Sequence, residues 1–318
     1  MSDYDGAWKE ALEQFFESFV EFFFPHAHSD IDWSRGIEFL DTELQQIQRD
    51  AELGRRIVDK LVRVWRKNGD EDWVLAHIEI QGDRTHDFEE RMFACHYRIF
   101  DKYRRRVATL VVLADENPNW RPAAYGYELW GCQIRFEFPT AKLLDLANHW
   151  EPLESHPNPF ALLVMAYLKA KELRNNPEGR LTWKVRFVRQ LFDRGWSRQM
   201  VLDVFHTIDW FLELPPQLEL KFRDEVASIE AENNMPYVTS IERIAKQEGR
   251  VEGRVEGRVE AQHDLIREAL ATKFGGGVQD LDEQISVITD SQLLRSIFRI
   301  VVNANSLDEV RTQLKRLV

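Results

Sequence analysis

The segment HIEIQG, residues 77–82, ends a stretch in which apolar and polar positions alternate, DWVLAHIEIQG (72–82). A period of two predicts a β-strand with two different faces. One face would carry Val74, Ala76, Ile78 and Ile80. The other would carry Trp73, Leu75, His77, Glu79 and Gln81. The second face begins apolar and ends in hydrogen-bonding side chains, which is typical of a strand whose end meets a cleft.

The composition indicates a globular protein that works in a reducing cytoplasm. The 318 residues are 44% hydrophobic and include 10 Trp and 20 Phe, enough for more than one core. No apolar run approaches the roughly 18 residues of a membrane span, and the first residues do not resemble a signal peptide. Two Cys exclude a disulfide scaffold. The net charge of −12 opposes strong nonspecific nucleic-acid binding, although 42 Lys and Arg permit a local basic surface.

The order of predicted elements indicates an α/β or α+β core followed by an all-helical C-terminal half. An amphipathic helix should open the chain, ended by Pro25. A strand follows at residues 56–65, joined by an Asn68-Gly69 turn to the strand quoted above. A helix at 86–106, a buried strand at 107–115 and one or two strands within 125–138 complete the core. The opening helix would bury Trp8, Leu12, Phe15, Phe16, Phe19 and Phe23.

We expect four parts along the chain: a core domain at 1–150, a helical domain at 151–247, a linker helix at 248–260 and a small helical domain at 261–318. The linker, EGRVEGRVEGRVE, repeats every four residues. Each of its Gly residues costs about 1 kcal/mol in a helix interior, so it should be a poor helix alone. Its Val column, flanked by Gly, favours a helix that packs or self-associates in a homodimer. A semi-flexible spacer is the alternative.

Hydrophobic patterning in the first hairpin favours an odd register or a bulge. An odd number of loop residues sets Trp65 against Trp73 and Asp59 against Glu79, whereas an even number would force carboxylates against Ile. Facing carboxylates repel unless a cation lies between them. Hard oxygen ligands without Cys suit Mg²⁺ or Mn²⁺. The alternative is two strand-end carboxylates that extend separately into solvent.

These residues carry a resemblance to a known family. Asp59, a hairpin and then Glu79-Ile80-Gln81 are similar to the PD-(D/E)XK nuclease motif, an Asp followed on the next strand by Glu-x-Lys. The segments that extend the likeness are YDGAWKEAL, VDKLVRV, HIEIQG, ERMFACHYRI, NPFALLVMAYL, IDWFLELP and MPYVTSIERIAKQEG. Together they resemble the recombination-promoting nuclease and transposase family of that superfamily, over most of the first 250 residues. The segment after the EGRV repeat resembles a small C-terminal domain of unknown function.

The resemblance implies an α/β PD-(D/E)XK core, with a mixed sheet flanked by helices, and Mg²⁺- or Mn²⁺-dependent hydrolysis of DNA phosphodiesters. Asp59 and Glu79 would ligate the metal, with the Ile80 carbonyl as a third oxygen. Gln81 stands where the superfamily usually has Lys, although Gln also looks usual in the narrower family. An ammonium can offset developing negative charge, whereas an amide can only orient water by hydrogen bonds. The Gln therefore puts the rate in doubt.

The helix after the hairpin supplies the predicted DNA contacts. Its apolar stripe should be Phe88, Met92, Cys95, Ile99 and Tyr103. An adjacent basic stripe holds Arg91, Arg98, Lys102 and Arg105. Such a row beside a metal site can hold phosphates. The alternative is that these side chains extend along the edge of an ordinary buried helix.

The histidines favour structural roles. We expect His77 to be a wall or core residue, and His206 to be core because it lies on an apolar helical segment. The segment HAHSDID (26–32) follows a Pro and predicts a solvated turn.

Two classes of function follow. The first is a metal-dependent DNA endonuclease acting in recombination or on mobile DNA, without a small-molecule cofactor. The second is a DNA- or protein-binding assembly module on a nuclease-like scaffold with weak or lost catalysis. The Asp59 and Glu79 pair favours the first, whereas the acidic balance and Gln81 favour the second.

Overall fold

The computed structural model describes residues 4–41, 44, 59–67 and 73–233. In the C-terminal stretch it describes residues 263, 265–267, 269–270, 273–274, 281, 291–304, 306–307, 309–311 and 313. The chain divides into two compact units, Met1–Met235 and Pro236–Val318. The predicted four-part division stays a prediction, and its linker at 248–260 lies outside the described residues.

Five of the described strands form one mixed sheet, which confirms the predicted α/β class. They are β1 (Glu38–Phe39), β2 (Asp59–Trp65), β3 (Trp73–Gln81), β4 (Val107–Leu113) and β7 (Thr140–Lys142), in the order β1-β2-β3-β4-β7. The first three pair antiparallel, whereas β3, β4 and β7 pair parallel. The described strands β5 (Ala124–Leu129) and β6 (Cys132–Glu137) form a separate hairpin, which begins one residue before the predicted 125–138 region.

Helices precede, interrupt and follow the sheet. In the first unit they are α1 (Tyr4–Gln14), α2 (Phe16–Phe23), α3 (Pro25–Asp30), a 3-10 turn (Trp33–Arg35), α4 (Phe88–Tyr103), α5 (Leu143–Leu146), α6 (Trp150–Ser155), α7 (Pro159–Glu172), α8 (Pro177–Asp193), α9 (Arg198–Phe211) and α10 (Pro216–Asn233). Within the described part of the chain, none of the helices has both the length and the apolar character needed to cross a membrane.

The β2–β3 register is the predicted odd one. Trp65 pairs with Trp73, Leu61 with His77, and Asp59 with Glu79. This register keeps Leu61 and Leu75 together under α4, where they pack with Cys95 and Ile99. The alternation of the quoted segment therefore sets the pairing, as expected when one face of a hairpin is buried. The Asn68-Gly69 turn lies outside the described residues.

Helices lie on both faces of the sheet. The face opposite α4 carries Ile78 and Ile80, at 0% and 2% exposure, and Lys60, which is buried and pairs with Glu13 of α1. Behind it, α7 is apolar around its circumference from Pro159 to Tyr167 and is buried over these residues, as expected for a central helix. Rings from three helices meet there, with centroid distances of 5.1 to 5.5 Å among Trp8, Tyr167 and Phe211.

The predicted opening helix is two helices, because α1 ends at Gln14 and α2 begins at Phe16. The backbone of Phe15 between them has φ −127° and ψ 36°, outside the α region. The predicted end near Pro25 is confirmed, since α2 stops at Phe23.

The prediction of a turn for residues 26–32 was wrong over most of its length. Pro25 occupies the first turn of α3, which runs to Asp30. Proline is favoured at the start of a helix because an N–H there would have no partner within the helix, so that its loss costs nothing. The φ of proline is also already helical. From the sequence, Pro25 was interpreted only as the end of one helix and not as the start of the next.

The prediction that His206 is a core residue was also wrong. Its side chain is 44% exposed, and its Nε2 lies 3.5 Å from Glu10 Oε2 on α1. The apolar residues of α9, such as Phe205 and Ile208, face the core instead. Consecutive residues of a helix point in different directions, so His206 does not share the buried direction of Phe205 and lies at the polar edge of the helix.

The second unit has its own apolar core. Its described buried residues include Ile266, Leu270, Leu281, Leu294, Ile297 and Val301. The helix α11 (Ser291–Asn303) supplies the last three.

Candidate metal and nucleic-acid site

The polar end of β3 lies at the carboxyl edge of the parallel part of the sheet. Gln81 is in register with Leu113 of β4, which is in register with Lys142 of β7. The carboxyl edge of parallel strands is where α/β sheets commonly bind ligands. The chain turns back after Gln81, and the first turn of α4 at Phe88 returns to the same edge. Strand and helix together therefore place polar side chains in one small volume.

Glu79 is a buried carboxylate with one engaged oxygen. The residue is 2% exposed, and its Oε1 accepts a hydrogen bond from Arg91 Nη2 at 3.0 Å. Its Oε2 is buried and has no hydrogen-bond partner among the residues that the structure describes. An ionised oxygen that is buried without a partner costs free energy, so its retention suggests a role in holding a ligand.

Gln81 is held at both ends of its amide. The residue is 5% exposed. Its Oε1 accepts from Arg91 Nη2 at 2.8 Å, and its Nε2 donates to the backbone carbonyl of Asp83 at 2.6 Å. These two contacts fix which end of the amide is oxygen, because guanidinium can only donate and a carbonyl can only accept. One further lone pair and one further N–H remain for a ligand.

Arg91 is the cation beside these two side chains. Its side chain is 11% exposed, and its guanidinium carbon lies 5.3 Å from the centroid of the Phe88 ring. A second cation, Lys142 of β7, is in register with Gln81 across β4. It is also buried and pairs with Asp115. The Arg91 guanidinium therefore places a positive charge next to both Glu79 and Gln81.

From the sequence, Arg91 was predicted to belong to the basic stripe, and its contact with Gln81 was not predicted. The sequence nevertheless contains a signal for this contact. Arg91 follows the end of β3 by ten positions and stands one turn inside the next helix, beside the apolar stripe that begins at Phe88. A short connection of this kind brings the first turn of the helix back over the strand end.

The other predicted ligands are placed by the backbone. Asp59 is the direct register partner of Glu79, and the structure describes Asp59 at the level of its backbone. Ile80 lies between Glu79 and Gln81 on β3, with its side chain buried on the opposite face. Among the described residues there is no group of three or more His, Cys, Asp or Glu side chains that could hold a metal ion.

The described donors fit a cation that takes few protein ligands. Glu79 Oε2 is a hard, anionic, buried oxygen, and Mg²⁺ is commonly bound through one or two carboxylates while keeping several waters. The same donor set, without a thiolate or imidazole at the site, suits Zn²⁺ poorly.

His77 lies behind the site as a core residue, as predicted. It is 0% exposed, and its Nε2 is 3.6 Å from Cys95 Sγ. Burial, together with the charges of His96 and Arg91, lowers the pKa of His77 from 6.5 to about 3. The imidazole is therefore neutral at physiological pH. His96, whose pKa is also lowered by burial, contacts Thr109 Oγ1 at 3.1 Å.

The other predicted DNA-contacting residues lie along α4 and just beyond it. Arg98 is half-buried and Lys102 is exposed. Arg105 places its guanidinium carbon 4.8 Å from the ring centroid of Trp73. Arg63 of β2 lies 4.7 Å from the same ring. The predicted apolar stripe is confirmed by the burial of Phe88, Met92, Cys95 and Ile99, while Tyr103 is half-buried.

Comparisons with known proteins give no match, neither to a family model nor to a curated protein nor to a solved structure. The resemblance to the recombination-promoting nuclease family therefore rests on the quoted motifs.

Proposed function

We propose that this chain is a Mg²⁺- or Mn²⁺-dependent DNA endonuclease with a PD-(D/E)XK core. The observation that carries the proposal is Glu79, a buried carboxylate whose Oε2 lacks a partner among the described residues, at the position directly opposite Asp59. A structural carboxylate would be expected to have both oxygens satisfied. An oxygen kept available beside a second acidic residue is what a cation site requires.

In this proposal Asp59 and Glu79 hold the cation, with the carbonyl of Ile80 as a further oxygen. The bound cation would polarise the scissile phosphate and lower the pKa of a coordinated water. Arg91 holds Glu79 by its Oε1, so that Oε2 faces the ligand position. Gln81 keeps one lone pair and one N–H with which to orient a water molecule.

The substrate class follows from the basic stripe. From Arg91 to Lys102 the helix rises about 16 Å, which is the length of about five phosphates along one DNA strand. Arg98 and Lys102 follow Arg91 at helical spacing, and Arg105 lies beyond the end of α4. Cations in such a row contact phosphates without reading sequence, so we propose DNA cleavage with little base specificity.

A second candidate function is a DNA- or protein-binding module without catalysis. The observation that favours it is the Arg91 contact, because a guanidinium already neutralises the charge of Glu79. In that case the Glu79–Arg91 pair is a buried structural ion pair, and the basic stripe alone would bind DNA.

Cleavage of supercoiled plasmid by the full chain separates the two candidates. We expect nicked and linear DNA with Mg²⁺ or Mn²⁺ and no products with EDTA. We also expect Gln81→Ala to slow cleavage by about tenfold or more, because positioning a reacting group commonly matters on that scale. DNA that is bound but uncut under every cation would favour the binding module.

A further inference from the structure

The contact between Arg91 and Glu79 sets the charge of the candidate cation site in the absence of DNA. The guanidinium lies 3.0 Å from Glu79 Oε1 and compensates one negative charge. In the proposed site Asp59 would add a second carboxylate, so that the two carboxylates and the guanidinium would together carry one net negative charge. A doubly charged cation is bound weakly by such a set, because its attraction to the carboxylates is opposed by repulsion from the guanidinium.

The same contact leaves Glu79 one oxygen with which to bind a cation. Oε1 is engaged by Arg91, and Oε2 has no partner within the described part of the chain. Bidentate binding by Glu79 would require the guanidinium to move away. The protein as it stands therefore offers too little charge and too few oxygens for tight cation binding.

A DNA phosphate supplies both the negative charge and the oxygen ligands that the free protein lacks. It brings a negative charge and oxygens that can ligate a cation, and guanidinium binds phosphate through paired N–H donors. The side chain of Arg91 is 11% exposed and lies at the sheet edge, where the proposal places the phosphate. Gln81 provides the second contact from which Arg91 would be released.

We propose that Arg91 couples cation binding to DNA binding. In the free protein it holds Glu79 and keeps the affinity for divalent cations low. When DNA binds, the guanidinium transfers its hydrogen bonds to a phosphate, and the carboxylates become available to the cation. This inference rests on the proposed function, and it makes Arg91 a positioning residue whose removal strengthens cation binding.

The test is Mn²⁺ affinity of the full chain without DNA, measured by electron paramagnetic resonance. Arg91→Gln should bind Mn²⁺ about tenfold or more tightly than wild type, because one adjacent positive charge has been removed. Arg91→Lys keeps the charge and should stay close to wild type.

Two further variants locate the effect. Arg106→Gln makes the same charge change at an exposed residue beyond α4 and should leave Mn²⁺ affinity unchanged. Adding Glu79→Gln to Arg91→Gln should remove the gain, because Glu79 supplies the oxygen. Equal Mn²⁺ affinities for wild type and Arg91→Gln would overturn the coupling.

The outcome for the coupling is distinguishable from the outcome for the nuclease. If the wild type cuts plasmid with Mn²⁺ but Arg91→Gln gains no affinity, the inference fails and the nuclease stands. If Arg91→Gln gains affinity through Glu79 but no cation supports cleavage by wild type, the opposition between Arg91 and the cation is supported and the nuclease fails.

Discussion

At the scale of single residues, Gln81 shows how a neutral side chain can stand beside a cation. Its amide bridges the Arg91 guanidinium and the Asp83 carbonyl, at 2.8 Å and 2.6 Å. A Lys at position 81 would bring an ammonium toward the guanidinium. Arg91 of α4 already supplies the positive charge that a Lys would provide. An amide at position 81 is therefore the better partner for the guanidinium.

Gln81→Lys should therefore destabilise the protein, although it restores the commoner superfamily residue. Two cations held close together in a buried site repel, and we expect a loss of about 1 to 3 kcal/mol in the free energy of unfolding. Combining it with Arg91→Gln should recover most of the loss, since one cation then remains. Urea denaturation of the two single variants and the double variant measures this coupling. Additive losses in the double variant would mean that positions 81 and 91 do not interact.

At the scale of secondary-structure elements, the first hairpin and α4 build the site together. The β2–β3 register places Asp59 opposite Glu79. The return of the chain places Arg91, in the first turn of α4, over the end of β3. The far end of the helix reaches the other end of β3, where Arg105 stacks on Trp73. One helix thus runs from the candidate site along the length of the strand.

The DNA-binding role of this helix predicts a change in salt dependence. Replacing Arg98, Lys102 and Arg105 together with Ala should weaken DNA binding and reduce the slope of log affinity against log salt by about two to three. A control variant with the same charge change, in which Arg121, Lys221 and Arg223 are replaced, should keep the wild-type slope. Fluorescence anisotropy at several salt concentrations gives both slopes. If the α4 variant keeps its slope, the three side chains only cover the apolar edge of the helix.

How much of this arrangement was predictable depends on the range of the contacts. Alternation in residues 72–82 and the requirement to bury Leu61 and Leu75 give the hairpin register, because period and pairing are local properties. The Arg91 contact was missed, because helical spacing shows which residues share a stripe but not which end of the helix meets the sheet. The exposure of His206 was missed for a similar reason, since its environment depends on α1, almost 200 residues earlier.

At the scale of the whole molecule, the described core contains buried ionisable groups that link stability to pH. His77 is fully buried, and its pKa is lowered to about 3 by burial and by the nearby charges of His96 and Arg91. Between pH 6.5 and about 3 the unfolded chain binds a proton at this residue and the folded chain does not. Stability must therefore fall as the pH decreases through this window.

We expect His77 alone to lower the free energy of unfolding by about 2 kcal/mol between pH 7 and pH 5. The lowered pKa of His96 acts in the same direction. Replacing His77 by Gln removes its titration and should reduce the loss between the two pH values, even if the variant is less stable at both. Urea midpoints at each pH test this. An undiminished loss in His77→Gln would assign the pH dependence to other groups.

The central claim is that Glu79 holds a divalent cation for DNA cleavage, and its most direct test is the Mg²⁺-dependent nicking rate of Glu79→Gln. The substitution keeps the size of the side chain and removes its charge. Glu90→Gln on α4 makes the same change at an exposed carboxylate and serves as the matched control. We predict that Glu79→Gln abolishes nicking, as Asp59→Ala also should, while Glu90→Gln retains the wild-type rate. Nicking by folded Glu79→Gln at the rate of the control would contradict the claim.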